Sequence, residues 1–200
     1  MEDCTGLILA GGQSKRMGCD KALLQLKGKC LLQWQVEKFQ NLGVKEILIS
    51  GTGNPTFPGV RAVPDVYPGC GPISGLHAGL SSASCQHCIV ICVDMPLVPG
   101  DVFIELCKAH DMGVTILRHS DGEEPLIGVY DRATAVYMEK MIQQGVYAVR
   151  ALEKTVPYQR WDYSGEKDFL CNCNYPEDYK QMKRIHAESM MLECTRIDMI

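Results

Sequence analysis

Short apolar segments alternate with longer amphipathic segments along the first half of this chain, and this alternation restricts its fold more than any other feature. Each apolar segment is only four or five residues long, which is typical of buried strands. We predict strands at Thr5–Leu9, Glu46–Ser50, Val60–Val63, Ile89–Val93 and Val114–Leu117. The segments between them predict helices at Leu31–Leu42, Ile73–Ala83 and Asp101–His110. Strands that alternate with helices favour a parallel sheet with right-handed crossovers.

The second half of the chain departs from this alternation. Pro125–Tyr130 has the character of a strand, and only a turn at Asp121-Gly122 separates it from the strand before it. An antiparallel addition to the sheet is therefore predicted. The remaining elements are a helix at Ala133–Gln143, a late strand at Val156–Trp161 and an amphipathic helix at Tyr179–Met191 with Pro176 in its first turn.

Together these elements predict a single-domain, Rossmann-like, three-layer α/β/α sandwich. Its sheet is mostly parallel with an antiparallel addition, and it occupies residues 1–192. Residues 193–200 have no evident role and are predicted to be a disordered tail.

Composition limits the classes of function. The net charge of −4 and the absence of a long basic run argue against a nucleic-acid binder. No run of about 18 apolar residues is present, so no membrane span is expected. The start of the chain lacks the pattern of a signal peptide, and eleven cysteines suit the reducing cytoplasm better than a disulfide scaffold.

Cysteine and histidine give weak metal signals. Cys85 and Cys88 have C-x-x-C spacing, but no second pair completes a tetrahedral zinc site. The five histidines are dispersed and predict no ligand set. We therefore interpret these residues as structural, with a zinc or redox role for Cys85 and Cys88 as an alternative.

A glycine-rich loop runs from Leu9 to Lys21, directly after the first strand. Gly11 and Gly12 lack Cβ atoms, so backbone N–H groups there can approach an anion. Arg16 and Lys21 add positive charge that suits a triphosphate. The spacing is not that of a P-loop or of a dinucleotide fingerprint. We predict a nucleoside triphosphate site, and a solvated surface loop is the alternative.

Asp94 follows the most apolar predicted strand. Since ligands bind beyond the carboxyl ends of strands in α/β sheets, this carboxylate should lie beside the glycine-rich loop. A hard oxygen ligand next to phosphates is what Mg²⁺ requires. The alternative is that Asp94 only caps a turn.

Two further segments are candidates for ligand contact. Asp65–Gly75 is rich in glycine and proline and enters a helix, which an ordinary connection would also do. Asn172–Asp178 contains Asn174, and this residue could instead cap the final helix together with Glu177 as a capping box.

These segments, in this order, resemble the molybdenum cofactor guanylyltransferase family of the NTP-transferase superfamily. Residues 9–21 resemble its L-A-G-G-x-S-x-R-M-G-x-D-K signature, and Asp65–Gly75 its second loop. Asp94 and Pro96 match its C-D-x-P element, with Val93 in place of the cysteine. Asn172–Asp178 matches its N-x-N-x-P-E-[DE] ending, so the resemblance covers residues 5–180.

The resemblance implies a fold like that of nucleotide-diphospho-sugar transferases and the transfer of GMP from GTP to molybdopterin or its molybdenum form, with release of pyrophosphate. Molybdoenzyme apoproteins or other cofactor-biosynthesis proteins are the implied partners. Asp94, Lys21 and Arg16 would act in catalysis, with Mg²⁺ on Asp94. Ser50 stands where the family has a nucleotide-contacting Asn. The residues implied to bind GTP are Leu9, Ala10, Gly11, Gly12, Lys21, Ser50, Asp65 and Asp94, and those implied to contact the pterin are Asn172 and Asn174.

The base is not determined by residue chemistry alone. Asp65 could accept from the ring N–H and exocyclic amine of guanine, which is a hypothesis for GTP over ATP. A related enzyme that uses CTP is the nearest alternative. A non-catalytic nucleotide-binding regulator is an alternative of another class, and the presence of Asp94 and Lys21 argues against it.

Overall fold

A computed structural model describes residues 1–11, 20–51 and 55–197, with side chains to residue 188. Gly12 and Arg16, two of the predicted nucleotide contacts, lie outside the described residues. Within the described ranges, no helix combines the length and the apolar character that crossing a bilayer requires.

A seven-stranded sheet forms the centre of the protein, and a small hairpin lies beside it. The hairpin consists of β2 (Gln25–Leu26) and β3 (Lys29–Cys30). The sheet contains β1 (Cys4–Leu9), β4 (Glu46–Ser50), β5 (Val60–Val63), β6 (His87–Cys92), β7 (Val114–His119), β8 (Gly122–Asp131) and β9 (Tyr158–Asp162). Its strand order is β5-β4-β1-β6-β8-β7-β9. All neighbours pair in parallel except β8, which is antiparallel to both β6 and β7.

Helices cover both faces of this sheet. They are α1 (Leu31–Asn41), α2 (Pro72–Ser82), α3 (Gly100–Ala109), α4 (Ala135–Gln143) and α5 (Pro176–Ile197). Short 3₁₀ helices span Lys21–Leu23, Arg132–Thr134, Val149–Lys154 and Lys167–Leu170. The predicted elements are thus found, and the last helix continues beyond residue 192 to Ile197.

Two neighbouring residues of β1 show which helix lies on which face. A Cβ atom added to Gly6 would lie 2.5 Å from the ring of Phe39 on α1. The next residue, Leu7, points the other way, and its methyl groups lie 2.4 Å from a Cβ atom added to Gly79 on α2. Phe39 also packs edge-on against Phe103 of α3, with ring centroids 5.8 Å apart. Because successive strand residues point to opposite faces, α1 and α3 cover one face and α2 the other, which confirms the three-layer prediction.

The antiparallel addition was predicted correctly, but it does not lie at an edge of the sheet. β8 is inserted between β6 and β7. It pairs with β7 with a shift of register between Ile116 and Leu117. Gly128 permits the close approach, since a Cβ atom there would lie 2.4 Å from the carbonyl oxygen of Thr115. This insertion brings the side chains of β8 next to the end of β6.

Candidate active site

A cleft opens where β1, β4 and β6 end. Leu9 is in register with Ser50 on one side and with Cys92 on the other, so the three strands stop together. Ligands of α/β proteins bind beyond the carboxyl ends of the strands, at such an edge of the sheet. The cavity measures about 180 Å³ and is lined by Leu9, Ala10, Gly11, Asp20, Lys21, Ser50, Asp65, Gly71, Pro72, Gly75, Cys92, Val93, Asp94 and Leu126. The structure therefore brings most of the predicted nucleotide contacts together.

Lys21 joins three distant parts of the chain within this cleft. Its Nζ lies 2.9 Å from Oδ2 of Asp94 and 2.6 Å from Oδ1 of Asn174. Lys21 begins a short 3₁₀ helix that is capped by Asp20, whose Oδ1 accepts a hydrogen bond from the Ala22 amide at 3.0 Å. The Lys21 and Asp94 side chains are each 18% exposed, so their charges are partly screened from water yet open to a ligand.

The backbone around Asp94 is fixed by its neighbours in the sheet and in the C-terminal segment. The Val93 amide donates to the Leu9 carbonyl at 3.0 Å, which extends the pairing of β1 and β6 by one residue. The Cys173 amide donates to the carbonyl of Asp94 itself at 2.9 Å. The backbone of Asp94 is thus held by hydrogen bonds to two distant segments, and its carboxylate lines the cleft.

Two polar side chains of α1 donate hydrogen bonds to the backbone on either side of Asp94. No sequence motif pointed to either residue. Gln35 donates to the Cys92 carbonyl at 3.1 Å, and Lys38 donates to the Pro96 carbonyl at 3.0 Å. Burial lowers the pKa of the Lys38 ammonium to about 7. Burying an ammonium group costs free energy unless it has hydrogen-bond partners. The bond to Pro96 offsets part of that cost and links α1 to the loop that follows Asp94.

Asp65 follows β5 and turns a carboxyl group into the cleft. Its Oδ1 atom is buried and makes no well-formed hydrogen bond within the described residues. The buried Ser74 hydroxyl lies nearby and partly opposes the effect of burial on the pKa of this carboxyl. Burial raises the pKa of the Asp65 carboxyl. A Cβ atom on Gly11 would lie 3.8 Å from Asp65 Oδ2, so this carboxyl adjoins the glycine-rich loop. Buried polar atoms are nearly always paired, and an unpaired acceptor here indicates a place for a ligand donor.

Ser50 lies on the floor of the cleft and is only 1% exposed. A Cβ atom on Gly75 would lie 2.7 Å from Ser50 Oγ, so only glycine lets α2 pack this closely. The helix begins at Pro72, after Gly71 with a φ of 76°. The amino terminus of α2 therefore borders the cleft, where the positive end of the helix dipole favours an anion.

The alternative role of Asn174, in which it caps the final helix together with Glu177, is not found in the structure. The Asn174 side chain accepts from Lys21, and the helix begins two residues later at Pro176. Asp178 supplies the cap by accepting from the amides of Asn174 and Tyr175 at 2.9 and 2.8 Å. Asp178 thus fixes the backbone that carries Asn174, and the Asn174 side chain contacts Lys21. Asn172 is half-buried on the same segment, outside the described lining of the cleft.

Glu124 is a second acidic residue near Asp94, and no motif in the sequence pointed to it. It lies on β8, with its Oε1 3.4 Å from Nε2 of His119. Burial raises the pKa of Glu124, and the negative charge of Asp94 adds to this effect. Glu124 therefore adds a second carboxyl group to the surroundings of Asp94, although it is not among the residues that line the cleft.

Comparison with known proteins agrees with this geometry. The MobA-like NTP transferase domain family matches residues 6–157. A probable molybdenum cofactor guanylyltransferase from Opitutus terrae is 32% identical over 194 residues, covering 91% of this chain and 96% of the relative. A molybdenum cofactor guanylyltransferase from Yersinia pseudotuberculosis is 30% identical over 180 residues, covering 87% and 92%.

The fold has a close counterpart among solved structures. Molybdopterin-guanine dinucleotide biosynthesis protein A from Archaeoglobus fulgidus superposes with a TM-score of 0.77 at 24% identity, covering 92% of this chain and 99% of that protein. The family match and the relatives each cover most of the chain, and the fold agrees with them. This chain therefore belongs to the MobA-like NTP transferase family of nucleotidyltransferases.

Proposed function

We propose that this protein transfers GMP from GTP to the terminal phosphate of molybdopterin, or of its molybdenum form, and releases pyrophosphate. The observation that carries the proposal is the meeting of Lys21, Asp94 and Asn174 at one point. Lys21 and Asp94 belong to the predicted triphosphate site, and Asn174 to the segment predicted to contact the pterin. One ammonium group would thus adjoin both anionic substrates, as an in-line transfer requires.

The residues of the cleft suffice for this reaction without a nucleophilic side chain. The acceptor phosphate is already an anionic nucleophile, so the protein must mainly align two anions and offset their repulsion. A triphosphate would compete with Asp94 for the Lys21 ammonium, and the freed carboxylate would then be able to hold a cation. Arg16 is proposed as a further phosphate contact.

Magnesium is the proposed cofactor. The Asp94 carboxylate, which lines the cleft, would provide the hard oxygen donor that Mg²⁺ prefers. When bound, Mg²⁺ would neutralise charge on the attacked phosphate and on the leaving pyrophosphate. We propose the cytosol as the location, because the eleven cysteines would stay reduced there.

Guanine is the proposed base because of the unpaired carboxyl oxygen of Asp65. Guanine carries its ring N–H and exocyclic amine side by side, and a carboxylate can accept from both. The change Asp65→Asn replaces one acceptor with a donor. It should therefore weaken GTP binding by about tenfold or more, because one charge-assisted hydrogen bond is lost. Binding of CTP should be affected less.

The decisive experiment incubates the protein with molybdopterin, Mg²⁺ and each nucleoside triphosphate in turn, and measures both pyrophosphate and dinucleotide product. The Asp94→Asn variant keeps the shape of the side chain and removes its charge, and it should lose roughly 100-fold or more in rate. Asp111→Asn, at an exposed position away from the cleft, is the matched control and should keep full activity.

Three results would contradict the proposal in different ways. Product with CTP alone would make the protein a cytidylyltransferase. Unchanged turnover of Asp94→Asn would remove its metal role. Thermal stabilisation by GTP with no product from any nucleotide would indicate a non-catalytic binding module.

A further inference from the structure

A cluster of two histidines and an aspartate lies at the edge of the sheet opposite to the cleft. His87 is the first residue of β6, and Asp131 is the last residue of β8, directly paired with it in register. His110 follows the end of α3. The histidines are dispersed in the sequence and were expected to form no ligand set, but folding brings two of them beside one carboxylate although they are 44 and 21 positions from it in the sequence.

The ligand atoms of this cluster are close enough to share one metal ion. His87 Nδ1 lies 2.8 Å and His110 Nε2 3.2 Å from the same oxygen, Asp131 Oδ1. All three atoms lie within 4.8 Å of one another. Bond lengths of about 2.0–2.2 Å in a tetrahedral zinc site place neighbouring ligand atoms about 3.3 Å apart. Small rotations of the side chains would therefore admit an ion.

Hydrogen bonds behind the ligands orient the His110 ring. The Thr115 hydroxyl donates to Gln159 Oε1 at 3.3 Å, so its lone pairs are available to accept from His110 Nδ1 at 2.9 Å. This places the proton of a neutral His110 ring on Nδ1 and leaves the lone pair of Nε2 facing Asp131. A lone pair opposite a carboxylate oxygen is repulsive unless a cation, either a proton or a metal ion, lies between them.

The carboxylate is fixed in the same way. Asp131 Oδ2 accepts from the Gly113 amide at 2.6 Å, which directs Oδ1 towards the two rings. Metal-binding histidines and carboxylates typically have such outer partners. The His110 side chain is only 3% exposed and Asp131 15%, whereas His87 is 36% exposed, so the cluster is open to solvent on one side.

We propose that His87, His110 and Asp131 form a binding site for one divalent transition-metal ion, with Zn²⁺ the best match. Two imidazole nitrogens and one carboxylate oxygen suit Zn²⁺ rather than Mg²⁺ or Ca²⁺. Water would complete the coordination on the side of His87. The ion would tie the start of β6, the end of β8 and the end of α3 together, so its expected role is structural.

The cysteines nearby do not account for this site. Burial raises the pKa of the Cys88 thiol to about 12, which disfavours the thiolate form that metals require. Among the described residues, neither Cys85 nor Cys88 belongs to a group of three potential ligands. The site therefore uses the histidine within the Cys85-x-x-Cys88 segment and not its thiols.

The test uses the full chain stripped of metal with a chelator and titrated with Zn²⁺, followed by metal analysis and thermal unfolding. One ion per chain and a raised melting temperature are expected. His87 is the most exposed of the three ligands, so changing it should disturb the fold least. The change His87→Gln should weaken zinc binding at least tenfold. Cys85→Ser is the matched control and should bind as the wild type does. Titration with Co²⁺ should give the spectrum of a nitrogen–oxygen site without an intense thiolate charge-transfer band.

Several outcomes would overturn the proposal. No zinc uptake by the wild type would show that the cluster is only a hydrogen-bonded part of the fold. Equal uptake by wild type and His87→Gln, or a thiolate band with Co²⁺, would place the metal elsewhere. Because binding and unfolding are measured without substrates, these outcomes are independent of the proposed GMP transfer.

Discussion

Glu46 at the start of β4 provides a quantitative test of how this fold is held together. Its carboxylate accepts four hydrogen bonds: from Thr5 Oγ1 at 2.6 Å, from the amide and hydroxyl of Ser84 at 2.7 Å each, and from Arg61 Nη2 at 3.0 Å. These bonds connect β4 to β1, to β5 and to the loop before β6. The change Glu46→Gln removes the charge and turns an amide donor towards these donors.

The expected loss can be worked from the pKa. Burial acts to raise the pKa of Glu46, but the hydrogen bonds from Thr5, Ser84 and Arg61 outweigh it and lower the pKa from 4.5 to about 2. At about 1.4 kcal/mol for each pH unit, this difference corresponds to about 3 kcal/mol. Since the side chain is 22% exposed, we expect Glu46→Gln to lower the free energy of unfolding at pH 7 by about 2–3 kcal/mol.

The pH dependence carries a definite sign. A carboxyl whose folded-state pKa is lowered stabilises the protein above pH 4.5 and loses that contribution as the pH falls towards 2. The gap between wild type and Glu46→Gln should therefore be about 1 kcal/mol smaller at pH 3.5 than at pH 7.

Urea denaturation of both proteins at several pH values measures this gap. Glu2→Gln is the control, because Glu2 and its partner Lys45 are each about two-thirds exposed and such pairs contribute little. A gap that stays constant with pH, or a loss at pH 7 no larger than that of Glu2→Gln, would refute the assignment of a strongly stabilised carboxylate.

Three further predictions concern the support of the cleft. Gly75→Ala should cost about 1–3 kcal/mol in unfolding free energy, because the new Cβ atom would lie 2.7 Å from Ser50 Oγ, and adding Ser50→Gly should recover part of it; no recovery would contradict the contact. Lys38 has a pKa lowered by burial to about 7 from 10.5, so the unfolded chain binds more protons between these values and wild-type stability should rise with pH there. Relative to Lys38→Met, the rise in urea titrations should reach up to about 2 kcal/mol between pH 7 and 9, and parallel profiles would disprove it. Asp178→Ala should lose about 1 kcal/mol of helix capping and slow GMP transfer by displacing Asn174, whereas Asp178→Asn should retain both; an unaffected transfer rate would separate capping from positioning.

The elements of secondary structure could be predicted from the sequence because each depends on neighbouring residues. β1 and β6 are continuous apolar segments, and α1 has its buried residues at helical spacing, with Gly43 at a φ of 73° just beyond its end. The placement of Lys21 and Asp94 at one edge also follows from the sequence, since the ends of parallel strands meet there. The chemistry of the loop after β1 is therefore local information.

The position of β8 is not local information. Its hairpin with β7 was predictable, but its insertion beside β6 depends on packing between distant segments. That insertion brings Glu124 near Asp94 and places Asp131 beside His87. No residue pattern within β6 or β8 predicts that these pairs of residues lie close together.

Local residue patterns were enough to predict the alternation of strands and helices, the glycine-rich loop and the residue types that a nucleotide requires. Long-range packing was needed to show that Asn174 contacts Lys21 rather than capping a helix, that Lys38 donates to the loop of Asp94, and that two dispersed histidines share one carboxylate. The difference arises from how far apart in the sequence the interacting residues lie. Backbone conformation and amphipathic spacing depend on residues a few positions apart, whereas hydrogen-bond partners and ligand sets depend on which remote segments the packed core brings within about 3 Å of each other.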